Sequence, residues 1–390
     1  MDSRLTPLLE IDHSQVRLLN DSDLRELVYR LCEAELQKFG HPISAIKAGG
    51  HQDAPDGGLD VIVSLPKGAA PLDFVLKPNT GFQTKISAFG PGRIEKEMKP
   101  KGKLRDSIRS LCLGDGAYVI VSAGSSTADS EYKKRHCAML SALPKALQKK
   151  GTLDFYDGDR LSRWVNQHPA VILWLREKVK QPLIGWKGYG NWSNITQEKT
   201  EFLLDDKNRI IDTEHPQDGP LPILEGINRI RSILSRSKGA VRLVGVSGSG
   251  KTRLAQALFE AQIGKAALHT IQAIYCDMGD EPQPPPRELL EHWNPCYHQS
   301  ILVIDNCPPE LHRSLSMKIR GSNHGISLLT IEYDIKDDEP EETQVFHLDP
   351  CSSGVVEKLL EQRTPNVSQV NRRKIAELSD GNTCPFGKIA

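Results

Sequence analysis

The chain has 390 residues, and its 50 Lys and Arg residues balance its 50 Asp and Glu residues, so the formal net charge is zero. With 38% hydrophobic and 26% charged residues, the composition excludes a disordered or collagen-like chain and indicates about two or three globular domains. Because there is no run of ~18 apolar residues and no basic-then-apolar start, we expect a cytoplasmic protein with no membrane partner.

The first half reads as a mixed helix and strand domain. Apolar residues recur at helical spacing over residues 22–39, with Asp21 or Ser22 as the cap and Gly40 as the end. Short apolar runs bounded by Gly, Pro, Asp or Ser predict strands at 43–46, 59–65, 82–86 and 118–122. The aromatic residues Trp186, Tyr189 and Trp192 are expected to pack the end of this domain, which we place at residues 1–195.

The second half has the alternation of strands and helices typical of a parallel sheet. Residues 196–220 are polar, end in Gly-Pro and are predicted to be a linker, so the second domain covers residues 221–390. We predict helices at 226–237 and 251–262, and strands at 241–245, up to 277, and at 301–305. The strands are apolar without alternation, which predicts an α/β fold with helices on both faces of the sheet.

A nucleotide-binding motif lies between the strand at 241–245 and the helix at 251. Its glycines would let backbone N–H groups curl around a phosphate at the positive end of the helix. Lys251 would reach the β and γ phosphates, and the Thr252 hydroxyl would bind Mg²⁺, so the predicted cofactors are ATP and Mg²⁺. The residues that match G-x-x-x-x-G-K-[ST] are Gly245, Val246, Ser247, Gly248, Ser249, Gly250, Lys251 and Thr252.

A second part of this site is predicted at the end of the strand at 301–305. Asp305 lies 53 residues after Thr252 (305 − 252 = 53) and is expected to help hold the metal as a Walker B acid. Asn306 stands where many NTPases carry a second acid that activates water. This departure predicts slow NTP hydrolysis, as suits a switch.

These motifs resemble the STAND class of signal-transduction ATPases over residues 221–390. The resemblance extends to a sensor strand at 326–330, to the stretch 346–350, and to a Gly-x-Pro-like region at 378–386. Where family members often carry an Arg after the sensor strand, this chain has Thr330, Ile331 and Glu332, so the γ-phosphate sensor is not identified. The family continues into helical, winged-helix and sensor regions. We therefore expect either that this chain is a fragment, which we favour, or that its sensor resides on another chain.

A candidate metal site lies in the first domain, where Asp60 precedes a strand and Gln83, Thr84 and Lys85 lie on the next. This arrangement, in the stretches 56–63 and 81–86, resembles the Mrr-like PD-(D/E)XK nucleases. By that resemblance Asp60, the Gln83 amide oxygen and the Thr84 carbonyl would bind a divalent ion, and Lys85 would act on the attacking water. Glu26 or, alternatively, Glu33 would complete the metal site.

A basic stretch follows the predicted metal site. Eight Lys and Arg residues lie between Lys85 and Arg109, against three acidic residues. Such a stretch could bind a DNA backbone or could be a solvated face. The chain has eight cysteines but no Cys-x-x-Cys pair, which argues against a disulfide framework and a zinc site.

A nuclease followed by a STAND ATPase resembles the antiviral STAND proteins of bacterial and archaeal defence. That resemblance implies an Mg²⁺-dependent DNA endonuclease with slow NTPase activity, DNA as substrate, a phage protein as trigger through a sensor region, and an active homo-oligomer, a tetramer. Two alternatives stay open. The first domain could be a non-catalytic DNA-binding or interaction module of a signalling ATPase, or the chain could be a modification-dependent restriction subunit.

Overall fold

The computed structural model describes residues 9–48, 58–125, 128–193, 207–332, 343–379 and 381. The chain divides into two units, Met1–Pro182 and Leu183–Ala390. Both units are built on a sheet with helices packed against it, so the expected α/β class is confirmed. None of the helices within the described ranges is long and apolar enough to cross a membrane.

In the described part of the first unit, five strands form one sheet in the order β1-β2-β3-β4-β5. Strand β2 is antiparallel to both of its neighbours, β1 and β3, whereas β3, β4 and β5 are parallel. The strands are β1 Ile46–Ala48, β2 Val61–Ser64, β3 Asn79–Lys85, β4 Ala117–Ser122 and β5 Thr152–Tyr156. The helices are α1 His13–Val16, α2 Asp21–Lys38, α3 Pro91–Met98, α4 Asp106–Leu113, α5 Asp129–Ala142, α6 Gly158–Val165 and α7 Pro169–Lys178.

The start of this unit differs in detail from the prediction. Helix α2 is capped by Asn20, whose side chain accepts a hydrogen bond from the Asp23 N–H at 2.8 Å, one residue earlier than expected. Gly40 follows the helix at a φ of 70°, which is the left-handed conformation that commonly ends helices. The predicted strand at 43–46 is a 3-10 turn, Ile43–Ala45, and the strand begins only at Ile46.

In the described part of the second unit, eight strands form a sheet in the order β6-β10-β11-β12-β9-β13-β7-β8. The five neighbouring strands β10, β11, β12, β9 and β13 are parallel. At the sides of the sheet, β6 pairs antiparallel with β10, β7 pairs antiparallel with β13, and β8 pairs antiparallel with β7. The strands are β6 Trp186–Gly188, β7 Arg209–Asp212, β8 Leu221–Pro222, β9 Ala240–Val244, β10 Ala273–Asp277, β11 Ser300–Asp305, β12 Ile326–Ile331 and β13 Gln344–Leu348. The helices are α8 Tyr189–Trp192, α9 Ile223–Leu234, α10 Lys251–Ala257, α11 Pro286–Glu291, α12 Pro309–Gly321, α13 Ser353–Arg363 and α14 Gln369–Leu378.

The boundary between the units lies earlier than residue 195. Strand β6 pairs with β10, and Trp192 stacks on Tyr275 with ring centroids 4.6 Å apart. The aromatic segment that we assigned to the first domain therefore packs in the core of the second. The predicted linker at 196–220 also contains β7, which pairs with β13; its first part, up to residue 206, lies outside the described residues.

The nucleotide motif is positioned by Arg231 of α9, which is 1% exposed. Its guanidinium donates five hydrogen bonds of 2.6–3.0 Å to carbonyl oxygens at and beyond the end of α10. The carbonyls belong to Ala257, Leu258, Glu260, Ile263 and Lys265. Since the last carbonyls of a helix have no partner within the helix, Arg231 supplies the partners that the end of α10 lacks.

We expect Arg231→Met to lower the free energy of unfolding by about 3 kcal/mol, because it leaves buried carbonyl groups without donors. Urea unfolding of the whole chain, followed by circular dichroism, measures the change. The matched control is Arg236→Met, at an exposed position just after the same helix, which should change stability by less than about 0.5 kcal/mol. Equal stability of the two variants would contradict the structural role of Arg231.

Candidate functional site

The loop between β9 and α10 has a backbone shape suited to an anion. Gly245, Gly248 and Gly250 have φ values of 151°, 77° and 91°, which side chains rarely permit. Gly245 is restricted further, because a Cβ there would lie 2.5 Å from the carbonyl oxygen of Leu348. Gly250 is left-handed and immediately precedes α10. A loop of such conformations can direct several backbone N–H groups toward one phosphate.

Lys251 lies within this loop rather than on the surface, since it is only 9% exposed. Its Nζ donates hydrogen bonds of 2.8 Å to the carbonyl oxygens of both Gly245 and Val246. Burial lowers the pKa of Lys251, and the nearby Asp305 carboxylate partly opposes that shift. The amine is therefore held inside the loop by two backbone carbonyl oxygens.

Thr252 and Asp305 meet directly, although 53 residues separate them in sequence. The Thr252 hydroxyl donates to Asp305 Oδ2 at 2.6 Å, and the Tyr275 hydroxyl donates to the same oxygen at 3.3 Å. Burial raises the pKa of Asp305, while the hydrogen bonds from Thr252 and from the Asn306 N–H oppose that increase. A hydroxyl and a carboxylate in contact are oxygen ligands that fit Mg²⁺.

The strand order brings these groups together. Strand β12 lies between β9, which leads into the loop, and β11, which ends at Asp305. Because the three strands are parallel, their carboxyl ends lie at one edge of the sheet, where α/β folds bind ligands. A P-loop NTPase fold has the three features found here. They are the glycine loop before α10, the contact between Thr252 and Asp305, and the placement of β12 between β9 and β11.

In the first unit, Asp60 is turned by an irregularity of strand β2. Val61 pairs with Phe82, yet the Asp60 N–H also donates to the Phe82 carbonyl at 2.8 Å. Two residues thus stand opposite one, which is a β-bulge and redirects a side chain. Asp60 Oδ2 accepts from the N–H and the hydroxyl of Thr84, at 2.7 and 3.0 Å. Its Oδ1 lies 2.9 Å from Nε of Arg25 on α2.

Gln83 and Lys85 lie on the other face of β3 from Thr84, as strand alternation requires, and both contact Glu97 of α3. The Gln83 amide nitrogen donates to Glu97 Oε1 at 2.5 Å, and Lys85 Nζ lies 3.5 Å from Glu97 Oε2. Arg105 also reaches Glu97 Oε1, at 2.8 Å. Burial acts to raise the pKa of Glu97, but Lys85, the Gln83 amide and Arg105 together hold that pKa below its usual value.

The Gln83 oxygen is directed at the buried Tyr118 hydroxyl, which donates a hydrogen bond to it. A carboxylate only accepts hydrogen bonds, so the NH₂ group of Gln83 must face Glu97 and its oxygen must face Tyr118. Burial raises the pKa of Tyr118, which keeps its hydroxyl protonated. The oxygen that we expected to bind a metal therefore already has a partner.

The predicted site residues thus have different direct partners: Asp60 contacts Thr84 and Arg25, whereas Gln83 and Lys85 contact Glu97. Their joint role in binding a metal ion stays a prediction. Within the described residues, no hydrogen bond or ion pair joins Asp60 to Gln83 or Lys85. The Glu26 carboxylate is paired with Arg30, at 2.8 Å, and with Lys178, at 3.8 Å. The other choice, Glu33, is half-buried, and burial raises its pKa; Gln37 is its hydrogen-bond partner.

Sequence reasoning missed Glu97, Arg25 and Tyr118. The available signal for Glu97 was its position as one of three acids within the basic stretch from Lys85 to Arg109. In the described part of the chain, no group of three or more His, Cys, Asp or Glu side chains is arranged to hold a metal ion. A divalent ion at this site would therefore depend on Asp60 together with backbone oxygen and water.

The predicted sensor strand β12 ends in a buried polar network. Glu332 Oε2 lies 2.5 Å from Nε of Arg242 on β9, and each of these residues is 1% exposed. The Thr330 hydroxyl donates to Glu332 at 3.1 Å, so Nδ1 of His312, 2.7 Å from that hydroxyl, must be the donor to it. The Thr343 hydroxyl faces His312 Nε2 at 3.1 Å. Glu332 is therefore engaged inside the unit.

The stretch after β13 passes against the nucleotide loop. Cys351 Sγ lies 3.3 Å from the Ser249 carbonyl oxygen. Gly381 lies beside this stretch, because a Cβ there would be 2.4 Å from the Cys351 carbonyl oxygen. Most of the predicted Gly-x-Pro-like region, residues 380 and 382–386, lies outside the described residues.

Comparison with known proteins gives weak similarities. No protein-family model matches the sequence, and no curated protein matches it. A signal transduction ATPase with numerous domains (STAND) from Pyrococcus horikoshii, with a tetratricopeptide repeat sensor, is 12% identical at a TM-score of 0.27, over 42% of this chain and 28% of that one. PCH-2 of C. elegans is 11% identical at a TM-score of 0.27, over 43% of this chain and 56% of that one. The chain thus spans less than two thirds of either protein, and similarity at this level assigns no function.

We expect the second unit to lose stability in mild acid through His312. Burial, with Arg242 and Arg320, lowers the pKa of His312 from its usual 6.5 to about 4. At a pH between these two pKa values, His312 is protonated in the unfolded chain but neutral in the folded chain. The free energy of unfolding therefore falls as the pH falls. From pH 7 to pH 5 the expected loss is about 2 kcal/mol.

Urea unfolding of the whole chain at pH 5, 6 and 7 measures this pH dependence. His312→Gln should flatten it by about 2 kcal/mol, whatever its effect on stability at pH 7. The control is His292→Gln, at an exposed position, which should leave the pH dependence unchanged. A slope that His312→Gln does not alter would contradict the prediction.

Proposed function

We propose that this chain is an ATP-controlled effector, in which a P-loop module binds and slowly hydrolyses ATP and an Mg²⁺-dependent nuclease site lies in the first unit. The observation that carries the nucleotide part is the contact of the Thr252 hydroxyl with Asp305 beside the glycine loop. Because an ammonium group binds phosphate oxygens, Lys251 would exchange its two carbonyl partners for the β and γ phosphates of ATP. Mg²⁺, when bound, would be held by Thr252 and Asp305 and would offset phosphate charge.

The nuclease part is supported by the residues around the end of β3. Asp60 supplies a carboxylate whose rotamer is held by Thr84, and Lys85 is a partly exposed cation paired with Glu97. When a divalent ion is bound, it would stabilise the charge that develops on the cleaved phosphate. Lys85 would orient the attacking water, and Glu97 would position Lys85.

A DNA strand would be bound by basic side chains that follow the site. Arg93 and Lys96 of α3 and Arg109 of α4 are exposed, as is Lys101 between these helices. Cations on one stretch of chain can bind successive phosphates without reading the bases. Arg105, in contrast, is paired with Glu97 and serves the site itself.

The coupling between the two activities rests on the resemblance to antiviral STAND proteins. In this proposal, a sensor region detects a phage protein, the ATP-bound module forms a homo-oligomer, a tetramer, and the nuclease sites then cleave DNA. The preference for ATP over GTP belongs to the same proposal.

A second function, a signalling ATPase with a non-catalytic first unit, is favoured by one observation. Asp60 is already neutralised by Arg25 at 2.9 Å, and Gln83 and Lys85 are engaged by Glu97 rather than by Asp60. A site with these contacts could bind DNA or a protein without cleaving it. Cleavage experiments distinguish the two functions.

For the nucleotide site, we expect Lys251→Ala to weaken ATP binding at least about 100-fold, because a buried charge-assisted contact to phosphate is lost. Isothermal titration calorimetry with ATP and Mg²⁺ measures the affinity. The matched control is Lys265→Ala, at an exposed position of the same unit, which should bind ATP like the wild type. A wild-type chain that does not bind any nucleoside triphosphate would overturn the proposal.

For the nuclease site, we expect Asp60→Ala and Lys85→Ala each to reduce Mg²⁺-dependent DNA cleavage by about 100-fold or more. The assay compares plasmid cleavage by oligomeric full-length protein with ATP present. Lys47→Ala, at an exposed position on β1 of the same sheet, is the control and should cleave normally. If the oligomeric wild type binds ATP and DNA but cleaves nothing, the non-catalytic function is correct.

A further inference from the structure

Asn306 follows Asp305, so the position where many NTPases carry a water-activating acid holds an amide. An amide does not accept a proton, and on sequence grounds alone this predicts slow hydrolysis. The structure places another carboxylate beside this position. Asp277 ends strand β10, and the register of β10 and β11 pairs Asp277 directly with Asp305.

Asp277 and Asn306 are in direct contact. The Asn306 side-chain NH₂ donates to Asp277 Oδ1 at 2.7 Å. The contact depends on the backbone of Asn306, which has a φ of 51°; Asn and Asp adopt this left-handed conformation more readily than most residues. The turn at the end of β11 thus directs the Asn306 amide toward the neighbouring strand.

One oxygen of Asp277 is left available. Oδ1 accepts from Asn306 and also from the Gly279 N–H at 2.8 Å, which fixes the carboxylate. Among the described residues, Oδ2 receives no hydrogen bond. Asp277 is half-buried and close enough to Asp305 for its charge to contribute to the raised pKa of that residue. A held carboxylate with a free oxygen therefore lies next to the pair Thr252 and Asp305.

We infer that Asp277, on the strand beside Asp305, is the carboxylate that positions the water for ATP hydrolysis, and that Asn306 orients it. This inference rests on the proposed nucleotide site. The water oxygen forms the new bond to the γ-phosphorus, and the bond from that phosphorus to the β–γ bridging oxygen breaks. ADP leaves with the bonding electron pair, while the water proton passes to the Asp277 carboxylate and then to the released phosphate.

The experiment separates the charge of Asp277 from its structural role. Asp277→Asn keeps an oxygen that can accept from the Gly279 N–H, but it removes the negative charge. The matched control is Asp280→Asn, three residues on, where an exposed carboxylate lies 3.3 Å from Lys187 Nζ. For each variant of the whole chain, ATP turnover is measured as phosphate release, ATP affinity by calorimetry and stability by the melting temperature.

We expect Asp277→Asn to lower kcat by about 100-fold, with ATP affinity and melting temperature close to those of the wild type. Asp280→Asn should match the wild type in all three measurements. If Asp277→Asn turns over ATP within twofold of the wild type, or if the wild type binds ATP tightly but never hydrolyses it, the inference is wrong. A wild type that does not bind ATP instead refutes the proposed nucleotide site.

A second measurement tests the contact itself without using activity. Asn306→Asp would place two carboxylates against each other and should lower the melting temperature by about 2 to 4 °C. Adding Asp277→Asn to that variant restores an acid and amide pair and should recover the melting temperature. If the two substitutions act additively, the contact between residues 277 and 306 does not exist in solution and the inference fails.

Discussion

The nucleotide site depends on the hydrogen bond between the Thr252 hydroxyl and the Asp305 carboxylate. It can form only if the first turn of α10 and the last residue of β11 reach the same edge of the sheet, although β12 lies between β9 and β11. Parallel strands of similar length satisfy that condition at one end of the sheet. Arg231 then fixes the other end of α10 through backbone carbonyls, so both ends of the short helix are held by long-range contacts.

The parts of the nucleotide site that could be predicted are those whose residues follow one another in the sequence. Residues from Gly245 to Thr252 carry the glycines, the amine and the hydroxyl in one stretch, and the apolar run before Asp305 identifies a buried strand. The domain boundary had no such local signal. Strand β6 belongs to the second unit because it pairs with β10 and because Trp192 stacks on Tyr275, and neither partner is near in sequence.

In the first unit, the choice of residues could be predicted but their orientation could not. A bulge that places both Asp60 and Val61 opposite Phe82 depends on the pairing of two strands, and it decides which face the carboxylate reaches. Glu97 becomes a partner of Gln83 and Lys85 only through the packing of α3 beside β3. Strand alternation gives the shared face of Gln83 and Lys85, but it gives no information about the helix that covers them.

The close approach of Gly245 to the Leu348 carbonyl oxygen limits how this protein can be probed by mutagenesis. A methyl group at Gly245 would displace the chain that leaves β13, so a defect caused by Gly245→Ala would combine a lost anion contact with a distorted sheet edge. Lys251→Ala introduces no such steric clash, since the contacts of Lys251 within the loop are hydrogen bonds from a flexible side chain. It removes the charge together with the donor to the Gly245 and Val246 carbonyl groups, but it leaves the path of the chain after β13 unchanged.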